Sequence, residues 1–176
     1  MAAPDDQNLG VLLNVYAGRR GRIVQRFRVR CIRVREWHLE DLDGGGIRLY
    51  GSDHPVARQY SSLKARLRLS RVDDAGAAIA ALLAVHNRIF DDWVACERYL
   101  GNLGDLAGRL ASGLTITGPE FVLKAYARAL RSQASAIVKI QSKQSRSARC
   151  RILHFSQSFV VAERFEADLL KEQADR

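Results

Sequence analysis

The chain has no apolar run of about 18 residues, the length that a membrane-spanning helix requires, so no membrane span is predicted. Residues 1–8 are polar and acidic, unlike a signal peptide. Cysteine is scarce, and the three copies, Cys31, Cys96 and Cys150, are odd in number and widely spaced. This pattern favours reduced thiols in a cytoplasmic protein.

Patterns that would indicate a metal site or an active site are also missing. No Cys/His cluster has metal-ligand spacing, so neither a metal nor a cofactor is predicted. The histidines at positions 38, 54, 86 and 154 are scattered. His38 with Asp41 or Asp43 could pair a base with an orienting carboxylate, but no nucleophile stands out nearby. The sequence therefore predicts a protein that is not an enzyme.

Positive charge, by contrast, is abundant: the net charge is +9, and arginine carries most of it. A GC-rich genome favours arginine and would explain this without any ligand. The alternative is an anionic partner, such as a nucleotide, a nucleic acid or a lipid surface. One group of arginines crowds near the N-terminus, at Arg19, Arg20, Arg22, Arg26, Arg28, Arg30, Arg33 and Arg35.

Residues 9–72 are predicted to form a small antiparallel β-sheet or barrel. Residues 10–17 form a short apolar run, and residues 27–34 alternate apolar side chains with arginine, as a half-buried strand does. The alternation slips at Cys31 and Ile32, which predicts a β-bulge.

A hairpin and one further strand are predicted downstream. Residues 36–40 and 47–50 flank the glycine cluster at residues 44–46, which predicts a hairpin. Residues 63–69 alternate leucine with Lys64, Arg66 and Arg68, which predicts another strand.

At Asp73 and Asp74 the spacing of apolar residues changes from every second residue to about every 3.6 residues. Acidic residues at this point suit a helix N-terminus. A helical run with heptad spacing is then predicted to residue 114, although the helix could break near Gly101. Its apolar positions are Ile79, Leu82, His86, Ile89, Trp93, Cys96, Leu100 and Leu103, followed by Ala107, Leu110 and Leu114. This stripe predicts a homo-oligomer assembled through the helix, with His86 and Cys96 packed in the interface.

A second helix is predicted from Thr117 to Ile140, so that residues 73–145 form a helical hairpin. The pattern leaves open whether the helices pair within one chain or between chains. Residues 149–176 are predicted to supply a returning strand, residues 150–162, and a short polar helix, residues 163–176. The fold class expected is therefore α+β.

Two short motifs in the N-terminal part carry a possible binding site. Arg22 and Arg26 form an R-x-x-x-R motif, and Asp41 to Gly46 form an acidic, glycine-rich turn. Paired guanidinium groups beside a turn that is rich in backbone N–H groups can hold a diphosphorylated ligand.

At these residues the chain resembles the PilZ family, in which R-x-x-x-R precedes the first barrel strand and Asp/Asn-x-Ser-x-x-Gly lies in a strand–turn–strand. Arg22 and Arg26 match the arginines, Asp41 the leading acid and Gly46 the final glycine. The resemblance implies cyclic di-GMP-related signalling by a regulatory or adaptor protein. Asp43 stands where the family has serine, and its carboxylate would repel phosphate, which implies a degenerate site. The heptad pattern resembles the PilZ-like proteins that form tetramers through long helices.

A basic nucleic-acid-binding protein is the alternative. Arg26, Arg28 and Arg30 are expected on one face of a strand, where they would form a positively charged ribbon. Aromatic residues make up only 7% of the chain and do not interleave these arginines, so no base-stacking platform is predicted. No helix-turn-helix or RNP-like motif is present.

Overall fold

The structure is a computed structural model that describes residues 8–17, 22–39, 46–131, 136–140 and 149–170. These residues form two compact units. The first unit combines the described residues up to Ala57 with those from Arg149 onward, and the second lies between Arg58 and Ala148. Helices and antiparallel sheets are both present, which confirms the α+β class. None of the helices in the described ranges is long and apolar enough to cross a lipid bilayer.

The strands are β1 (Leu9–Ala17), β2 (Arg22–His38), β3 (Ile47–Tyr50), β4 (Lys64–Leu69), β5 (Leu114–Pro119), β6 (Ala136–Ile140), β7 (Arg151–Phe155) and β8 (Ser158–Leu170). The helices are α1 (Pro55–Ser61), α2 (Ala75–Phe90), α3 (Glu97–Leu100), α4 (Leu106–Ser112) and α5 (Glu120–Ala129), with a 3-10 turn at Asp91–Trp93. The boundary between the two units falls within α1.

The first unit contains an antiparallel sheet with the strand order β1-β2-β8-β7-β3. One cluster of buried side chains forms its core: Val11, Val29, Cys31, Val34, Leu153, Phe155, Val160 and Ala162. Cys31 and Val34 both reach this cluster although they are three residues apart, because Arg33 has a positive φ of 55° and interrupts the alternation of faces. The strand register also shifts between Val34 and Glu36. The predicted irregularity in this strand therefore lies slightly beyond Cys31 and Ile32.

The predicted barrel and hairpin differ from the observed topology. Among the described strands, β1 and β3 remain edges, so the sheet alternative is correct and a closed barrel is not formed. β3 pairs with β7 instead of β2, because β7 and β8 return from the end of the chain and occupy the positions next to β2 and β3. The returning strand is confirmed, as a hairpin of two strands.

The second unit contains a three-stranded antiparallel sheet with the order β5-β4-β6. Helix α5 packs against all three strands, and α2 packs against α5 and α4. Asp74 caps α2 by accepting a hydrogen bond from the Ala77 N–H at 2.9 Å, as its position in the sequence predicted. β4 was grouped with residues 9–72 on the basis of sequence, whereas here it is the central strand of the second unit.

The predicted long helical hairpin over residues 73–145 is wrong. Helix α2 ends at Phe90, and the next residue, Asp91, has a φ of 52°. Helices α3 and α4 then end at Gly101 and Gly113, which have φ values of 71° and 97°. Glycine adopts this left-handed backbone without a steric penalty, so it stops a helix efficiently.

The second predicted helix, from Thr117 to Ile140, is likewise only α5. Threonine and isoleucine alternate before it in β5, and alanine, isoleucine and valine follow in β6, where β-branched residues favour strands. The terminal helix predicted over residues 163–176 is also wrong as far as residue 170. Phe165, Ala167 and Leu169 alternate with acidic residues there, and β8 pairs with β2 along that stretch.

Candidate nucleic-acid interface

The outward side of β4 carries a column of cations. Lys64, Arg66 and Arg68 are exposed, whereas Ala65 and Leu67 between them are completely buried. The alternation arises because successive side chains of a strand point to opposite faces of the sheet. Cations two residues apart on one strand therefore repeat at about 6.6 Å.

The neighbouring strands extend this column into a surface. Arg66 lies between Thr117 of β5 and Lys139 of β6 in the strand register, and Arg68 lies beside Thr115. All of these side chains are exposed. We call this surface the basic face; it consists of Lys64, Arg66, Arg68, Lys139, Thr115 and Thr117.

The basic face carries four cations and no acidic side chain. Lys64, Arg68 and Lys139 form no ion pair with any residue in the described part of the chain. Guanidinium and ammonium groups only donate hydrogen bonds, and threonine hydroxyls also donate, so the surface suits an acceptor-rich anion such as phosphate. It presents no aromatic ring for stacking on bases.

A buried hydrogen-bond network holds the helices behind this sheet. His86 of α2 lies 2.7 Å from the Tyr126 hydroxyl of α5 and 2.6 Å from the Val94 carbonyl. Because the carbonyl can only accept, Nε2 of His86 carries a proton and donates it to Val94. In an uncharged ring Nδ1 then accepts the Tyr126 O–H. Burial raises the pKa of Tyr126 far above its ordinary value, so the hydroxyl keeps its proton as a donor. The network fixes α2 to α5, the helix that supports the basic face.

Three of the eight residues predicted to form an oligomer interface lie in the interior of the second unit. Leu82, His86 and Leu100 are fully buried within one chain. The remaining predicted residues are half-buried: Ile79, Ile89, Trp93, Cys96 and Leu103. Helix α2 buries Ala78, Leu82, His86 and Phe90, at intervals of four residues. Part of the apolar stripe is thus used for packing within the chain, and the oligomer interface through the remaining residues stays a prediction.

The arginine ribbon predicted on β2 is present but partly neutralised. Arg30 lies 3.0 Å from Glu166 and 3.8 Å from Asp168 on β8. Asp168 is also the strand partner of Arg28, while Arg26 pairs with Leu170. This column therefore lies beside carboxylates of the neighbouring strand, whereas the strand partners of Lys64, Arg66 and Arg68 include no acidic residue.

Further along β2, two arginines also form ion pairs with a carboxylate. Arg33 and Arg35 both form ion pairs with Glu163. Partial burial acts to raise the pKa of Glu163, but the hydrogen bonds from Arg35 and Arg33 outweigh it and lower the pKa. Glu163 therefore stays charged and balances the arginines beside it.

The residues of the predicted cyclic dinucleotide site are only partly described. Asp41, Asp43 and the side chain of Arg22 lie outside the described residues, while Arg26 and Gly46 are exposed. Arg26 lies on β2, and Gly46 directly precedes β3, which is separated from β2 by two strands of the sheet. The structure therefore does not bring these two residues together through strand pairing.

Among the remaining polar groups, His54 has a structural role. Its Nδ1 accepts a hydrogen bond from the Val56 N–H at 3.4 Å, in the first turn of α1. Burial lowers the pKa of His54, and Asp53 opposes this shift only in part. Within the described ranges, His, Cys, Asp and Glu side chains form no group of three or more that could hold a metal ion.

Comparisons with protein-family models, with curated proteins and with solved structures give no match for this chain. The chemistry of its surfaces is therefore the guide to its function. Sequence reasoning identified Lys64, Arg66 and Arg68 as an alternating set but missed Lys139, Thr115 and Thr117. Threonine alternates with leucine and isoleucine in β5, which was the available signal for Thr115 and Thr117. β6 shows no such alternation, and its residues were assigned to the second helix.

Proposed function

We propose that this chain is a non-enzymatic nucleic-acid-binding protein whose basic face contacts the phosphate backbone. The observation that supports this proposal is the exposed set of four cations on one sheet face, with no acidic residue in the same strand rows. The net charge of +9 adds long-range attraction to a polyanion.

The chemistry of the face favours nucleic acid over a lipid surface. Membrane-binding surfaces combine cations with apolar side chains that enter the bilayer. The large exposed apolar residues in the described part of the chain all belong to the first unit: Leu12, Trp37, Leu39, Ile47, Leu49 and Leu169. None of them belongs to the basic face, although Ile137 of β6 lies beside Arg68 in the strand register. The exposed side chains that define the basic face are all polar, so it is suited to phosphate-directed contact.

The same composition predicts little sequence preference. Base identity is read by side chains that reach base edges, and by aromatic rings in single strands. The basic face offers lysine, arginine and threonine, and its rows also contain Pro119 and Ile137 but no asparagine, glutamine or aromatic side chain. Binding is therefore expected to depend on charge and on strand geometry.

A matched pair of triple variants tests this proposal. Lys64, Arg66 and Arg68 are changed to alanine in one variant, and Arg26, Arg28 and Arg30 in the other. Both variants lose three positive charges at alternate positions of a strand. Affinity is measured by fluorescence anisotropy with a mixed-sequence oligonucleotide, as single-stranded DNA, single-stranded RNA and duplex DNA.

We expect the β4 variant to bind at least about tenfold more weakly and the β2 variant to bind nearly as the wild type does. The opposite order would assign binding to the β2 ribbon and overturn the role of the basic face. No binding by the wild-type protein at low salt would overturn the proposed function itself.

The cyclic dinucleotide hypothesis remains a prediction that rests on the resemblance to the PilZ family. Arg26 supplies the described side chain through which it would act. It concerns a different surface, so the two hypotheses are tested separately.

A further inference from the structure

Strand β1 presents a free edge without a single charged side chain. It pairs with β2 along one side, and no described strand pairs with the other side. Its sequence from Leu9 to Ala17 contains only apolar residues, glycine, asparagine and tyrosine. Such an edge exposes unpaired backbone N–H and C=O groups, to which another strand can add.

The other free edges of the same sheet carry charges, which discourage strand addition. The part of β8 that extends beyond β7 contains Glu163, Arg164, Glu166 and Asp168. The part of β2 that extends beyond β1 contains Arg33, Arg35 and Glu36. β3 is short and contains Arg48. β1 is therefore the edge of this sheet that lacks protection by charge.

The β1 edge is also self-complementary. Its pairing with β2 is regular from Leu9 to Val15 and becomes irregular between Val15 and Tyr16. Leu12 is the middle residue of this regular stretch. An antiparallel pair of β1 strands with a twofold axis at Leu12 would place Leu9 opposite Val15, and Val11 opposite Leu13.

We infer that the protein self-associates by antiparallel pairing of β1 with β1 of a second copy. In this register, every pair of side chains on the inward face is apolar. These pairs would extend the apolar contacts that Leu9, Val11 and Leu13 make with the core of the sheet. On the outward face, the two copies of Leu12 would cover each other, and Leu12 is 56% exposed in the single chain. No like charges meet within the pair.

This interface differs from the helical one predicted from sequence and does not depend on nucleic-acid binding. The backbone groups of both edges are satisfied by the pairing, and the ten strands of the dimer form one continuous sheet. A second copy supplies a strand with the same length, the same lack of charge and the matching apolar alternation.

The first test measures the oligomeric state by sedimentation equilibrium over a series of protein concentrations. Leu12→Lys places like charges opposite each other at the axis, so self-association should weaken at least about tenfold. Leu169→Lys is the matched control, because Leu169 is also 56% exposed but lies on an edge that already carries charges. This control should associate as the wild type does.

A cross-linking test fixes the register. Antiparallel partners have Cα atoms roughly 4.5–5.5 Å apart, within the range that a disulfide spans. In a Cys96→Ser background, Leu12→Cys should therefore form a covalent dimer on mild oxidation. Asn14→Cys should not, because in this register Asn14 faces Gly10 and the two Asn14 positions are roughly 13 Å apart.

A monomeric wild type would overturn the inference, and so would a dimer that persists unchanged in Leu12→Lys. Equal cross-linking at both cysteine positions would overturn the register and, with it, the twofold axis at Leu12. Circular dichroism of each variant separates the loss of association from the loss of folding.

Discussion

Removing one hydroxyl from the interior of the second unit tests the network that supports the basic face. In Tyr126→Phe the ring keeps its packing, but His86 Nδ1 loses its donor. Tyr126 is 0% exposed and His86 is 1% exposed, so water does not replace the lost partner. A buried acceptor that is left unsatisfied costs about 1–3 kcal/mol, and we expect the free energy of unfolding to fall by this amount.

The assay is urea denaturation followed by tryptophan fluorescence in a Trp37→Phe background. Trp37 belongs to the first unit and is largely exposed, so replacing it leaves Trp93 as the reporter of the second unit. Trp93 lies in the 3-10 turn that precedes Val94, the acceptor of the second His86 hydrogen bond.

Tyr60→Phe provides the matched control. It removes the same hydroxyl from a half-buried ring, where Arg98 donates to the oxygen at 3.3 Å. Because water can reach such a site, the expected loss is only about 0.5 kcal/mol or less. A Tyr126→Phe variant no less stable than this control would refute the argument that the buried hydrogen bond holds α2 against α5.

Two further predictions concern the first unit. Calorimetry with cyclic di-GMP should give no heat of binding for the wild type and measurable binding for Asp43→Ser. Adding Arg26→Ala to Asp43→Ser should weaken that binding by about 1.5–3 kcal/mol. Heat of binding from the wild type would contradict a degenerate site. Because burial lowers the pKa of His54, its contribution to stability is present above its unfolded pKa of about 6.5 and falls as the pH drops below that value. Urea titrations should give a lower free energy of unfolding near pH 5.5 than near pH 7.5, and the decrease should be smaller in a His54→Gln variant. An equal decrease in both proteins would exclude His54 as the cause.

Local patterns in the sequence predicted several elements correctly. The alternation of Lys64, Arg66 and Arg68 with buried residues identified β4, because a half-buried strand must alternate. Asp74 marked the start of α2, because its side chain can satisfy a backbone N–H of the first turn. These features depend on residues that are close together in the chain.

Features that depend on distant residues were not predictable in the same way. An apolar stripe such as that of α2 looks the same whether it packs against another copy or against its own chain, and here it packs largely within the chain. The pairing of β3 with β7 joins segments about a hundred residues apart, and nothing local specifies it. Lys139 likewise joins the basic face only through the pairing of β6 with β4.

The salt dependence of binding tests the role of the basic face most directly. If its four cations contact phosphates, the logarithm of the association constant should fall with the logarithm of salt concentration with a slope of about −2.8 for single strands and −3.6 for duplex DNA. Between about 50 and 200 mM salt, affinity would fall roughly 50- to 150-fold. Arg68→Ala should reduce the slope by about 0.7–0.9, whereas Arg28→Ala should leave it unchanged. A slope near zero, or one that responds to Arg28 and not to Arg68, would contradict the assignment.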